Sequence, residues 1–129
     1  MDWRGAAAVA AFGIALGVGP ARAQELEDFT VKDAGSLADL CSTGESSALY
    51  PEARQHCYGF IGGAAALYRE LIAAERLPRL VCPQGQPTAE EAREAFVAWI
   101  GRNPGARSEK AIDGLFRAAS TKWPCPSRG

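Results

Sequence analysis

The chain has 129 residues, of which 22% are charged and 47% hydrophobic, and carries a formal charge of −1 at pH 7. A near-neutral balance without a cluster of Lys or Arg excludes a protein built to bind nucleic acid or an anionic membrane surface. The length suits one small domain, and past the N-terminus no internal repeat or low-complexity tract divides it.

The first 23 residues read as a secretory signal peptide. Arg4 supplies the positive start, residues 6–18 are an uncharged apolar run, and Gly19 and Pro20 break it. Ala21 and Ala23 then place small residues where a signal peptidase reads, which predicts cleavage between Ala23 and Gln24. Thirteen apolar residues fall short of the ~20 that a membrane-spanning helix needs. The expectation is an exported, periplasmic chain with no membrane contact after cleavage. Loss of Asp2, Arg4 and Arg22 takes the formal charge from −1 to −2. Residues 24–34 read as an N-terminal extension and residues 35–126 as the folded domain.

Four helices follow in chain order. Ser36 looks like an N-cap, with Asp39 placed to return the hydrogen bond, and this first helix ends about Cys41, before Ser42, Thr43 and Gly44. The second starts at Pro51, a residue suited to the first helical turn, and runs to Arg76, with Pro78 as its stop. Its apolar positions Cys57, Phe60, Ile61, Ala64, Tyr68, Leu71 and Ile72 recur at three and four, so they share one face. The third opens on Thr88 with Glu91 in capping-box spacing, buries Ala92, Ala95, Phe96, Trp99 and Ile100, and ends at Gly101 with Asn103 and Pro104. The fourth runs from about Ser108 with Ile112, Leu115, Phe116 and Ala119 inward, and stops at Trp123. No alternating run of β-branched residues competes. The fold class expected is all-α, a small disulfide-stapled bundle of about four helices.

An even number of cysteines in an exported chain implies disulfides. Four cysteines allow three pairings, and helix order selects one. Short loops make consecutive helices antiparallel neighbours, so Cys41 at the end of the first helix lies near Cys57 early in the second. Cys82 before the third helix likewise lies near Cys125 after the fourth. Each bridge would contribute ~2–4 kcal/mol. His56 stands beside Cys57 as the only histidine, which raises a thiolate–imidazole pair or a metal site. Neither fits. A bridged Cys57 is no nucleophile, the His56 side chain points about 100° away along a helix, and one histidine with these cysteine spacings matches no zinc pattern. His56 is expected on the surface. No serine elbow or phosphate cradle is present either. Glu90, Glu91 and Glu94 suit the dipole and cap of a helix start rather than paired-carboxylate hydrolysis. The chain reads as a non-enzyme with no catalytic residues, no metal site and no cofactor.

Gly59, Gly62 and Gly63 with Ala66 make a small-residue stripe inside the second helix, where each glycine costs ~0.5–1 kcal/mol relative to alanine. Two explanations are open: tight packing against another helix of the same chain, or a close-approach face for a second subunit.

The order "LADLC", "CYGFIGGAAA", "VCPQGQPTAEEAREAFVAWIGRNP" and "STKWPCP" resembles the Tai/Rap-type immunity family. The shared elements fall on Leu40, Cys41, Cys57, Gly59, Phe60, Ile61, Gly63, Cys82, Pro83, Gly85, Thr88, Trp99, Ile100, Pro104, Trp123, Pro124 and Cys125, with Trp123 where the family usually has Phe. The resemblance covers roughly residues 37–126. It implies a small periplasmic helical protein, often a homodimer, that blocks a peptidoglycan amidase effector of type VI secretion by placing a surface loop in its catalytic cleft. Two loops qualify. Residues 42–50 carry Glu45, Ser46, Ser47 and Tyr50 and would be closed by the Cys41–Cys57 bridge. Residues 83–87 are stiffened by Pro83 and Pro87. The longer, acidic and hydroxyl-rich loop is the first choice, with Glu45, Ser46, Ser47 and Tyr50 as partner-binding residues. The alternatives are an HdeA-like periplasmic stress chaperone and a family member that has no effector.

Overall fold

The computed structural model describes residues 29–127. The expected signal peptide and its cleavage site lie outside the described residues, as do residues 24–28 of the expected extension. Four α-helices are present: α1 (Ala34–Ser42), α2 (Tyr50–Ala73), α3 (Ala89–Arg102) and α4 (Ala111–Lys122). A 3-10 turn at Pro104–Ser108 joins α3 to α4, and there is no strand among the described residues.

The short α1 is the axle of the bundle. Ala34, Gly35, Leu37, Ala38, Leu40 and Cys41 are all buried, and the helix touches α2, α3, α4 and the 3-10 turn. Leu37, Phe96, Cys41 and Cys57 are fully enclosed at the centre. Burying a side chain the size of Leu37 or Phe96 is worth ~1.5–3 kcal/mol over leaving it in water. The helix starts earlier than the sequence predicts. Asp33, not Ser36, is the N-cap. Its Oδ1 accepts from the Ser36 N–H at 2.7 Å, and the Ser36 Oγ accepts from the Asp33 N–H at 3.0 Å. A carboxylate is a strong acceptor for an orphan helix N–H, and this reciprocal box pulls Ala34 and Gly35 into the helix. Asp39 is released from the role expected of it and pairs with Arg107 at 2.8 Å.

In α2 the proline does sit in the first turn, but Pro78 is not the stop. The helix ends at Ala73 through a Schellman motif. The Arg76 N–H reaches back to the Leu71 carbonyl at 2.8 Å and the Glu75 N–H to that of Ile72 at 3.0 Å. Glu75 takes the left-handed position at φ 55°, where glycine is the usual residue. A glutamate there gives no sequence signal, so the sequence pattern alone carries the helix on to Arg76.

The capping box of α3 forms as its spacing predicts, with the Thr88 side chain accepting from Glu91 N–H at 3.1 Å and the Glu91 carboxylate accepting from Thr88 N–H at 2.7 Å. Phe96, Trp99 and Ile100 are buried, and Ala92 and Ala95 are half-buried. The fourth helix differs more. Residues from Pro104 to Ser108 form a separate 3-10 turn, and α4 begins only at Ala111. Its inward face is rotated toward Ala111, Gly114, Leu115 and Ala118, leaving Ile112 38% exposed and Phe116 half-buried. The cause is Gly114. A Cβ there would lie 2.8 Å from the Ala34 Cβ, so only glycine lets α4 come this close to the start of α1.

Two disulfides close the domain, Cys41–Cys57 and Cys82–Cys125, with Cα atoms 5.1 and 4.8 Å apart. The first joins α1 to the second turn of α2. The second ties the segment before α3 to the one after α4, beside a Cys82 N–H bond to the Trp123 carbonyl at 2.9 Å.

Candidate partner-binding surface

Cys57 is fully buried and bonded to Cys41. His56 is exposed, and its ring stacks on Phe29 with centroids 4.7 Å apart. No three His, Cys, Asp or Glu side chains come together to hold a metal ion among the described residues. What the molecule offers is surface.

The connection between α1 and α2 is held in one shape. The Ser47 N–H bonds the Gly44 carbonyl at 3.0 Å and the Tyr50 N–H bonds the Ser47 carbonyl at 3.1 Å, two successive turns. The Ser47 hydroxyl accepts from the Leu49 N–H at 3.2 Å, a local turn typical of serine. Glu45 and Ser46 are left exposed at the tip, while Ser47 is half-buried. Thr43 and Ser47 also form one wall of a depression of about 300 Å³, whose other side is Lys32, Ser36 and Asp39. The Cys41–Cys57 bridge pins both ends of the connection. The second candidate, residues 83–87, turns through Gly85 at φ 90°. It exposes Gln84, Gly85 and Gln86 and keeps Pro83 and Pro87 half-buried.

Tyr50 is not in the loop but in the first turn of α2. Its ring lies under the Arg54 guanidinium at 5.0 Å, and the Tyr58 ring is 5.7 Å from the same group. Positions 50, 54 and 58 are four apart and form a row along one side of the helix. Arg54 then crosses to α3. Its Nη1 donates to Glu90 Oε2 at 3.2 Å, where the Tyr58 hydroxyl also donates at 2.5 Å. Arg93 completes the cluster, donating to both Glu90 oxygens at 2.8 and 2.5 Å and to the Cys41 carbonyl at 3.0 Å. The hydrogen bonds from Arg93 and then from Tyr58 hold the Glu90 carboxyl down at about 2, with the Arg93 and Arg54 charges adding to them. One carboxylate thus clamps α2, α3 and the end of α1. The sequence assigned Glu90 only to the helix start. Its spacing from Arg93 was visible, but a bond to residues 32 and 36 positions away has no local signature.

The small residues of α2 behave unlike a packing seam. Gly59, Gly62, Gly63 and Ala66 are exposed, and a Cβ built on any of the three glycines would meet nothing within 4 Å among the described residues. Among the described residues, tight packing inside the chain, one of the two explanations open from the sequence, is not seen at these positions. Leu67, one turn on, is 61% exposed.

The fold is that of a small disulfide-stapled all-α domain. The chain belongs to the Rap1a immunity protein family, whose model matches residues 33–125. At the level of the family it is an immunity protein for type VI secretion effectors, a group whose members are generally not enzymes. No curated protein and no solved structure matches it.

Proposed function

We propose that the mature chain is exported to the periplasm and there binds and inhibits a peptidoglycan amidase delivered by type VI secretion. The family match supports the immunity role. The N-terminal leader pattern and two disulfides in so small a domain support export to an oxidising compartment. No described helix is long and apolar enough to cross a membrane. The observation that carries the inhibitory part is the connection 43–49, closed by a disulfide and two turns, with Glu45 and Ser46 at its exposed tip. A loop already ordered before binding loses little conformational freedom on entering a cleft. An acidic, hydroxyl-bearing tip can occupy a hydrolase cleft as a substrate mimic, without turnover and in one-to-one stoichiometry. The exposed glycine face of α2 is the surface through which two copies associate.

The test is protection. Amidase effectors of the source genome are exported one at a time to the periplasm of a tester strain, with and without this chain, and lysis is followed. The wild-type chain should suppress lysis by one of them, and Glu45→Arg with Ser46→Arg should abolish that protection while helicity and both disulfides persist. Protection by the double variant would remove this loop and direct attention to residues 83–87. If the chain suppresses lysis by no amidase, the amidase reading is wrong.

A further inference from the structure

The two disulfides divide the chain into halves that only the backbone joins covalently. Cys41–Cys57 closes α1 on α2, and Cys82–Cys125 closes the segment before α3 on the one after α4. Residues 58–81 lie in neither loop, and α2 ends at Ala73, so the connection after it is the bare joint between the halves. Residues 73–80 are all exposed. Exposed connections of this kind are where proteases nick folded proteins. Two arginines stand in the joint, each before a leucine: Arg76–Leu77 and Arg79–Leu80. An arginine-specific serine endoprotease holds the guanidinium on a carboxylate in its pocket, and it takes the residues before the cut as an extended strand. Arg76 does not meet that requirement. Glu75 before it has φ 55°, and the Arg76 N–H is tied to the Leu71 carbonyl. Arg79 does meet it. Residues 78–80 carry no helix or turn, Pro78 fixes its own φ, and Leu77 before it is turned away from the helical region. Other exposed cations are guarded by structure. Arg102 and Lys122 end α3 and α4, and Lys110 stands between buried Ala111 and Glu109, whose carbonyl accepts from the Ala34 N–H at 2.9 Å.

We propose that Arg79–Leu80 is a cleavage site for an arginine-specific endoprotease, and that the cut protein persists as a non-covalent assembly of two disulfide-closed helix pairs. Water adds across the amide. The C–N bond breaks, Arg79 gains a carboxylate and Leu80 an ammonium group. What joins the halves is untouched by the cut. Leu37 and Ile61 of one half share a core with Phe96 and Leu115 of the other. Arg54 and Tyr58 reach Glu90, Arg93 reaches the Cys41 carbonyl, and Arg107 pairs with Asp39. Each of these contacts crosses from one half to the other. Without the tether, however, folding of the whole becomes a two-body equilibrium, and its stability depends on concentration. One hydrolysis therefore converts a stapled domain into a complex that dilution can dismantle, a route to switching the protein off that neither disulfide blocks. A cut inside either disulfide loop would leave its pieces covalently joined.

The oxidised mature chain is digested with dilute trypsin at neutral pH and sampled over time. Denaturing mass spectrometry without reductant should show, as the first products, one fragment ending at Arg79 and one beginning at Leu80. On a native sizing column the same sample should elute as the uncut chain does, and its melting temperature should depend on concentration more steeply. Arg79→Gln should slow the first cut roughly a hundredfold, because the carboxylate in the protease pocket is left unpaired, whereas Arg76→Gln should leave the rate unchanged. A first cut elsewhere, an Arg79→Gln variant cut at the wild-type rate, or a chain that resists trypsin until it unfolds overturns the site. Fragments that separate on the native column overturn the two-chain form. Each of these results is independent of which effector, amidase or other, the chain binds.

Discussion

The two ends of α2 are built on opposite principles. The first half of the helix carries all of its buried positions, Ala53, Cys57 and Ile61. They are stapled to α1 by Cys41–Cys57 and tied to α3 through Arg54, Tyr58 and Glu90. The later turns have no fully buried residue. Ala64 packs against the core there, and Tyr68 meets Phe116 with the rings tilted and centroids 5.0 Å apart and accepts the N–H groups of Leu80 and Val81 at 2.7 and 3.1 Å. Small and apolar side chains there face outward. Cross-links and charge concentrate where a loop must be held, and the free face is left where another molecule can approach.

The comparison is tested hardest at the staple. Cys41→Ala with Cys57→Ala frees a connection of 16 residues. It should lower stability by ~3 kcal/mol, a fall in melting temperature of roughly 12–24 °C for a domain this size. Urea titration and thermal melts read it, and an unchanged midpoint would mean the clamp alone holds this end. Next comes the crowded glycine. Gly114→Ala must push α4 off Ala34, so it should destabilise by ~1–3 kcal/mol despite the better helix propensity of alanine. A stabilised Gly114→Ala would show that the α1–α4 contact is loose.

Glycines also show what the sequence could and could not disclose. Helix number, the capping box at Thr88 and the all-α class are legible because periodicity and caps are local. The disulfide pairs follow from which helix ends are neighbours. The stripe at Gly59, Gly62 and Gly63 stood out as a run, whereas Gly114 is a lone glycine in a helical pattern. Yet the lone one sits at the close contact and the run lies in the open. Spacing along a helix fixes which residues share a face, not what that face meets. The same reason hides Arg54–Glu90, and the rotation of α4 away from Ile112 follows from a contact with Ala34 that no window of α4 contains.

The clamp sharpens the comparison through pH. Glu90 is held at about 2 against an ordinary 4.5, so its ionised form favours the fold. The contribution is complete above about pH 4.5 and is lost as the pH falls toward 2. Its carboxylate is 44% exposed, so water and salt screen the pair, and Glu90→Gln should cost on the order of 1 kcal/mol near neutrality. The melting-temperature gap between wild type and Glu90→Gln should close as the pH is lowered through that window. Asp33 and Glu91, also held below their ordinary range by their cap hydrogen bonds, titrate in both proteins and cancel in the difference. A gap that persists at pH 2 would assign the effect to packing instead of charge.

The smallest stability effect belongs to the open end, and it carries the most about assembly. With no described residue within 4 Å of a Cβ at position 62, Gly62→Ala should stabilise an isolated protomer by ~0.5–1 kcal/mol through helix propensity alone. Gly62→Leu should also leave the protomer folded, because its side chain projects into solvent. If two copies pack through Gly59, Gly62, Gly63 and Ala66, however, their backbones must come close, and a leucine at the centre of that contact keeps them apart. Light scattering should then show a dimer for wild type and a monomer of unchanged helicity for Gly62→Leu. The two variants separate the roles of the glycine, since helix propensity is read by melting and close approach by mass. A wild-type monomer, or a dimer that survives Gly62→Leu, would show that copies do not meet through this face. Three exposed glycines would then stand in the helix with no contact to offset the ~0.5–1 kcal/mol each one costs.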